Sequence, residues 1–214
     1  NIAGIALFGS NVAVDINNSG TISGNSNGVL LNTGSIGGNI INSGTISGSG
    51  TSSGAGIELS GSTVTGDIGN TGTISGTFAG IALNSGSSAG SITNYLGGTI
   101  LGNSAGVFLN SGSNIGGNIV NSGAITGGIA LVNGSSVTGS ITNNAGGIIS
   151  GNIAGISLSN SSVTGGINNS GTISGNSAGI WLNAGTGGSI ANSGSISGSS
   201  AGIGRSRRAP PLGA

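Results

Sequence analysis

A seven-residue unit, Asn18-Ser-Gly-Thr-Ile-Ser-Gly24, returns almost unchanged along the chain, and its closing glycine falls at Gly24, Gly48, Gly76, Gly102, Gly127, Gly151, Gly175 and Gly198. Successive steps are 24, 28, 26, 25, 24, 24 and 23 residues. A second marker keeps the same beat: the glycine of A-G-I or a close variant stands at Gly4, Gly28, Gly56, Gly80, Gly106, Gly128, Gly155, Gly179 and Gly202. A period this short, kept over the whole length, specifies a solenoid of stacked units that cannot bury a core singly.

The pattern inside one unit selects the type of solenoid. From Ala154 to Ser177, apolar residues fall at Ile156 and Leu158, then Val163 and Ile167, then Ile173. Ile156 and Leu158 are two apart, and Thr172-Ile173-Ser174 sets one Ile between two hydroxyls, both being the alternation of half-buried strands. Gly and Asn recur too often for any helix interior and supply sharp corners. The expectation is an all-β fold, a right-handed parallel β-helix of about eight coils of roughly 24 residues, with three short strands per coil. Its length at a strand spacing of about 4.8 Å is roughly 38 Å.

Two columns follow from the period. Ile22, Ile46, Ile74, Ile100, Ile125, Ile149, Ile173 and Ile196 stack as core. Asn18, Asn42, Asn70, Asn94, Asn121, Asn143, Asn169 and Asn192 precede the same corner and form a structural ladder, each amide able to donate to and accept from the next. Asn also tolerates the left-handed backbone of a corner.

Composition excludes more than it assigns. With 50 Gly in 214 residues but only two Pro, and no Gly-X-Y period, the chain is not collagenous. It is 34% hydrophobic and 3% charged, the reverse of a disordered chain. Asp15, Glu58 and Asp67 balance Arg205, Arg207 and Arg208 at a net charge of zero, so no basic field attracts nucleic acid. There is no Cys, His or Lys. A thiolate metal site, a disulfide framework and a G-x-x-x-x-G-K-[ST] phosphate loop are therefore impossible. Asp15 and Asp67 share one position two coils apart, roughly 10 Å, a spacing an inverting glycosidase pair could use. Asn39 and Asn118 occupy that position elsewhere, which reads as a solvated face tolerant of any small polar residue. The expectation is no enzyme, no cofactor and no metal.

Function is thereby confined to outward positions. Thr21 and Ser23, Thr45 and Ser47, Thr73 and Ser75, and Thr172 and Ser174 repeat as an outward T-x-S face, broken by Leu101, Ala124 and Ile148. Regular hydroxyl arrays on flat solenoids resemble ice-binding faces, so a ligand-specific binder of ice or glycan is the alternative reading. Phe108 and Trp181 are expected to point outward as isolated surface aromatics, with Glu58 at the same position in another coil. Trp181 joins the candidate binding face.

Asn169-Ser-Gly-Thr-Ile-Ser-Gly175 followed by Ala178-Gly-Ile-Trp-Leu182 resembles the β-helical passenger region of Gram-negative autotransporter adhesins, and the resemblance covers about residues 1–204. It implies display on the cell surface or outer membrane, or secretion, and a role in adhesion or aggregation through a host, matrix or sibling-cell surface. Membrane attachment would come only through a translocator domain outside this sequence. Residues 205–214, with all three Arg and both Pro, are expected to be a flexible tail. The abrupt end of the period fits a truncated or frame-shifted reading, a linker to a missing domain, or a basic processing tag. Asn1-Ile-Ala-Gly-Ile5 matches Asn152-Ile-Ala-Gly-Ile156. The start thus reads as cut from a longer array, and open coil ends are expected to self-associate end to end.

Overall fold

A computed structural model of the chain describes residues 2–51 and 54–206. The unit beginning at Ala154 contains four strands, Ala154–Ser159, Ser162–Val163, Gly166–Asn169 and Thr172–Gly175. Each strand lies parallel to its counterpart in the preceding coil, which builds four sheets of nine, seven, eight and eight strands, the seven-stranded one ending at Ser162–Val163. The result is a parallel β-solenoid of about eight turns. No helix occurs among the described residues.

The strand count differs from the three expected per coil. Val163 and Ile167 were too close in sequence to suggest separate strands, yet a bend at Thr164-Gly165 sends them to different sheets. The short strand is only two residues long, so it carries a single inward side chain and no alternation to betray it.

Register is kept from coil to coil. Ile22 pairs with Ile46, Ile46 with Ile74, and the same column continues through Ile100, Ile125, Ile149, Ile173 and Ile196. The six inner members are fully buried, and Ile22 and Ile196 at the two ends are partly so. The two sequence markers prove to be packing partners across the core. A methyl group built on Gly80 of the A-G-I strand would stand 2.6 Å from Ile100 Cγ2 in the T-I-S strand of the same coil. Gly28 faces Ile46 and Gly56 faces Ile74 at the same 2.6 Å. Glycine at this position is the complement of a β-branched residue opposite, which is why both markers repeat together.

Left-handed backbone does not fall on the Asn column. Those asparagines lie within strands such as Ile40–Asn42 and Ile68–Asn70. The left-handed corner instead follows the A-G-I strand, at Gly9, Thr33, Gly61, Ser85, Ser111, Asn133, Asn160 and Ala184. Besides glycine, side chains of four kinds accept a φ near +55° there because the stack fixes it. The last strand is Ala201–Arg205, one residue past the expected repeat boundary, and residues 207–214 of the expected tail lie outside the described residues.

Candidate functional site

The T-x-S positions occupy one sheet. Thr21, Thr45, Thr73 and Thr99 pair in four consecutive coils, after which the column continues as Ala124, Ile148, Thr172 and Ser195. The second column runs Ser23, Ser47, Ser75, Leu101, Thr126, Ser150, Ser174 and Ser197. Strand pairing sets neighbours about 4.8 Å apart along the rod. Leu101 is 38% exposed and Ile148 is 48% exposed, so apolar side chains interrupt the hydroxyls at the surface itself. Thr172 and Ser174 are thereby separated from the array formed by Thr21, Ser23, Thr45, Ser47, Thr73 and Ser75. Trp181 is not on this face. It belongs to Ala178–Asn183, on the A-G-I sheet.

The Asn column turns its chemistry inward. Asn18 Nδ2 donates to Asn42 Oδ1 at 2.7 Å, and the chain continues through Asn70, Asn94, Asn121, Asn143, Asn169 and Asn192 at 2.8–2.9 Å. The same Nδ2 of Asn94 also donates to Gly98 O in its own turn and to Ala124 O in the next coil. Asn42, Asn70, Asn94 and Asn121 are fully buried, and Asn192 alone is exposed. These amides are saturated by the protein and offer almost nothing to a ligand.

A second ladder accounts for the carboxylates. Asp15 Oδ1 accepts the Asn39 backbone N–H at 2.7 Å and its Nδ2 at 3.1 Å. Asn39 Oδ1 accepts from Asp67 N, Asp67 Oδ1 from Ser91 N, Ser91 Oγ from Asn118 N, and Asn118 Oδ1 from Ser140 N. Asp15, Asn39, Asp67, Ser91 and Asn118 thus present a short side chain with an acceptor on a partly exposed face, and the column ends on Gly166, which has none. Each oxygen lies where a side chain on the glycine before the next rung would go, for example Asn39 Oδ1 at 2.3 Å from a methyl built on Gly66. The missed signal was the pairing of that glycine with the polar residue after it, as in Gly38-Asn39, Gly66-Asp67 and Gly117-Asn118.

The outward column of the A-G-I sheet is less simple than isolated aromatics. Phe108 meets Phe78 edge to face, with ring centroids 5.1 Å apart at 84°. Together they pack on a small cluster of Ala55, Ala79 and Ala82 that lies apart from the main core. Glu58 pairs beside Ala82 in that column. Burial pushes its carboxyl above the ordinary glutamate value, against hydrogen bonds from Asn27 and Asn84 that lower it. Trp181 packs over Gly204, where a methyl would stand 2.5 Å from the indole Cε3. Sequence spacing placed Phe108 and Trp181 outward but could not show what each leans on.

Among the described residues there is no group of three or more His, Cys, Asp or Glu, and no helix is long and apolar enough to cross a membrane. A scan against protein-family models finds no match, and neither comparison, with curated proteins or with solved structures, returns a significant one.

Proposed function

We propose that this chain is a non-catalytic surface rod, a passenger segment of an autotransporter-like adhesin that acts in adhesion or aggregation on a Gram-negative cell or after secretion. The observation that supports it is the use of its polar groups. The Asn ladder is buried, and the Asp, Asn and Ser ladder engages one oxygen each of Asp15 and Asp67, leaving a sparsely charged, hydroxyl-rich exterior on a stiff stack. Such a surface suits contact with a host, matrix or sibling cell better than proton transfer, which needs carboxylates free of structural duty. Fusing the chain to an outer-membrane translocator and displaying it on non-aggregating cells tests the reading. Displayed cells should clump or adhere more than cells carrying the translocator alone, and equal behaviour would sink the proposal.

The run of four Thr in consecutive coils, from Thr21 to Thr99, favours ice as a second reading. Thermal hysteresis that disappears in Thr45→Leu would support it. Absence of any hysteresis from the purified rod would remove it.

A further inference from the structure

The turns from the T-I-S sheet to the A-G-I sheet form a ridge along one corner of the rod. Asn103-Ser104 joins Gly102 to Ala105, and Asn152-Ile153 joins Gly151 to Ala154. In the coil between them Gly127 is followed at once by Gly128, with both φ angles positive at 95° and 81°. Three residues, the counterparts of Asn103, Ser104 and Ala105, are missing there, and consecutive glycines close the tight turn. The flanking turns are two strand spacings apart, about 9.6 Å. Asn152 Nδ2 reaches across the gap to donate to Asn103 O at 2.6 Å.

The gap is a cavity of about 370 Å³ on the A-G-I side, within the range of small-ligand sites. Asn103, Ser104, Asn152 and Ser157 give it amides and hydroxyls, and Ala130 and Ile153 give it apolar surface. None of the residues around it is charged. Ile153 is 72% exposed at the rim. Ala130 and Ser157 are neighbours in the outward column, with Phe108 one strand to one side and Trp181 one strand to the other. The small pair thus makes a floor between the strands that carry two aromatics, Phe108 leaning on Phe78 to one side and half-exposed Trp181 lying over Gly204 to the other, both away from the floor.

We propose that this notch holds one ring of a neutral glycan. A pyranose presents a C–H face and an edge of hydroxyls. Ile153 and Ala130 match the former, while Asn103, Ser104 and Ser157 match the latter. An anionic sugar has no cation here to pair with, and an apolar ligand would leave the amides and hydroxyls without partners. The site depends on the missing turn and not on display at a cell surface, so it stands or falls separately from the adhesive role.

The test uses the full chain labelled with ¹⁵N and titrated with cellobiose, lactose and N,N′-diacetylchitobiose. At least one should move the amide signals of Asn103, Ala130, Asn152 and Ser157 together, with a Kd of about 1 mM. Ala130→Leu fills the floor with a side chain that the same column already carries at Leu30, and should weaken binding at least about tenfold while the thermal midpoint holds. Silence from all three disaccharides well above that concentration overturns the proposal. Shifts confined to the T-x-S face, or affinity unchanged in Ala130→Leu, overturn it equally.

Discussion

Gly80 shows how little room a repeat leaves at its commonest residue. A methyl there would meet Ile100 Cγ2 at 2.6 Å and the Gly106 carbonyl oxygen at 2.8 Å, and the second contact is backbone that cannot step aside. Gly80→Ala should destabilise the rod by about 1–3 kcal/mol, the usual range for overpacking, as read from denaturant midpoints. Buried polar groups divide by whether they are partnered. Asn94→Ala removes the donor to Asn121 Oδ1, Gly98 O and Ala124 O and leaves the buried Asn121 oxygen without its partner, while the Asn70 amide keeps Gly72 O and Thr99 O, so a loss of about 1–3 kcal/mol is expected. The buried hydroxyl of Ser135 has no partner, and Ser135→Ala should leave stability unchanged or raised. Glu58 adds a pH dependence with a definite sign. Its carboxyl is raised above 4.5, so the folded state keeps the proton to higher pH than the unfolded chain does. The resulting stability is fully present below 4.5 and is lost as pH rises through the folded value. Urea midpoints of the parent minus those of Glu58→Gln should therefore increase on acidification from neutral pH toward 4.5; a flat difference would contradict the burial of this carboxyl.

At the scale of the strand, the three-residue core of T-I-S carries its own instructions. One β-branched side chain points in, two hydroxyls point out, and the glycine after it begins the corner, so its place in the stack was plain in the sequence. The A-G-I strand was equally plain from Ile156 and Leu158. Ser162–Val163 was not, because two residues cannot display a period of two. The left-handed corners were hidden for a different reason: Thr33, Ser85 and Ala184 adopt that backbone against their own preference, under the constraint of coils above and below. The T-x-S face was legible residue by residue, as were the breaks at Leu101, Ala124 and Ile148. The notch was not, although Gly127-Gly128 marks it, because a shortened turn becomes a cavity only when the turns on both sides keep their length. Trp181 stands in an A-G-I strand that was legible as Ala178-Gly-Ile-Trp-Leu182, so grouping it with the hydroxyl face joined residues of two different strands.

For the whole rod, stability is a sum over interfaces between coils, and the coil rather than the domain is the unit that can be removed. Ala154 pairs with Ala178, Ile156 with Ile180 and Leu158 with Leu182, so deleting residues 154–177 joins Ile153 directly to Ala178 and leaves every column in register. The Asn ladder closes as well, since Asn143 then meets Asn192 in place of Asn169. This shortened chain should keep a β-sheet circular dichroism spectrum and a cooperative melt, with a rod about 4.8 Å shorter by small-angle scattering. Deleting residues 154–165 instead removes half a coil. It brings strands of one sheet against corners of another, strands the Asn and Ile columns out of line, and should abolish the spectrum beyond that point. Equal folding of the two deletions would mean that the columns do not set the register, and the account of the stack given by Ile, Asn and the acceptor ladder would have to be abandoned.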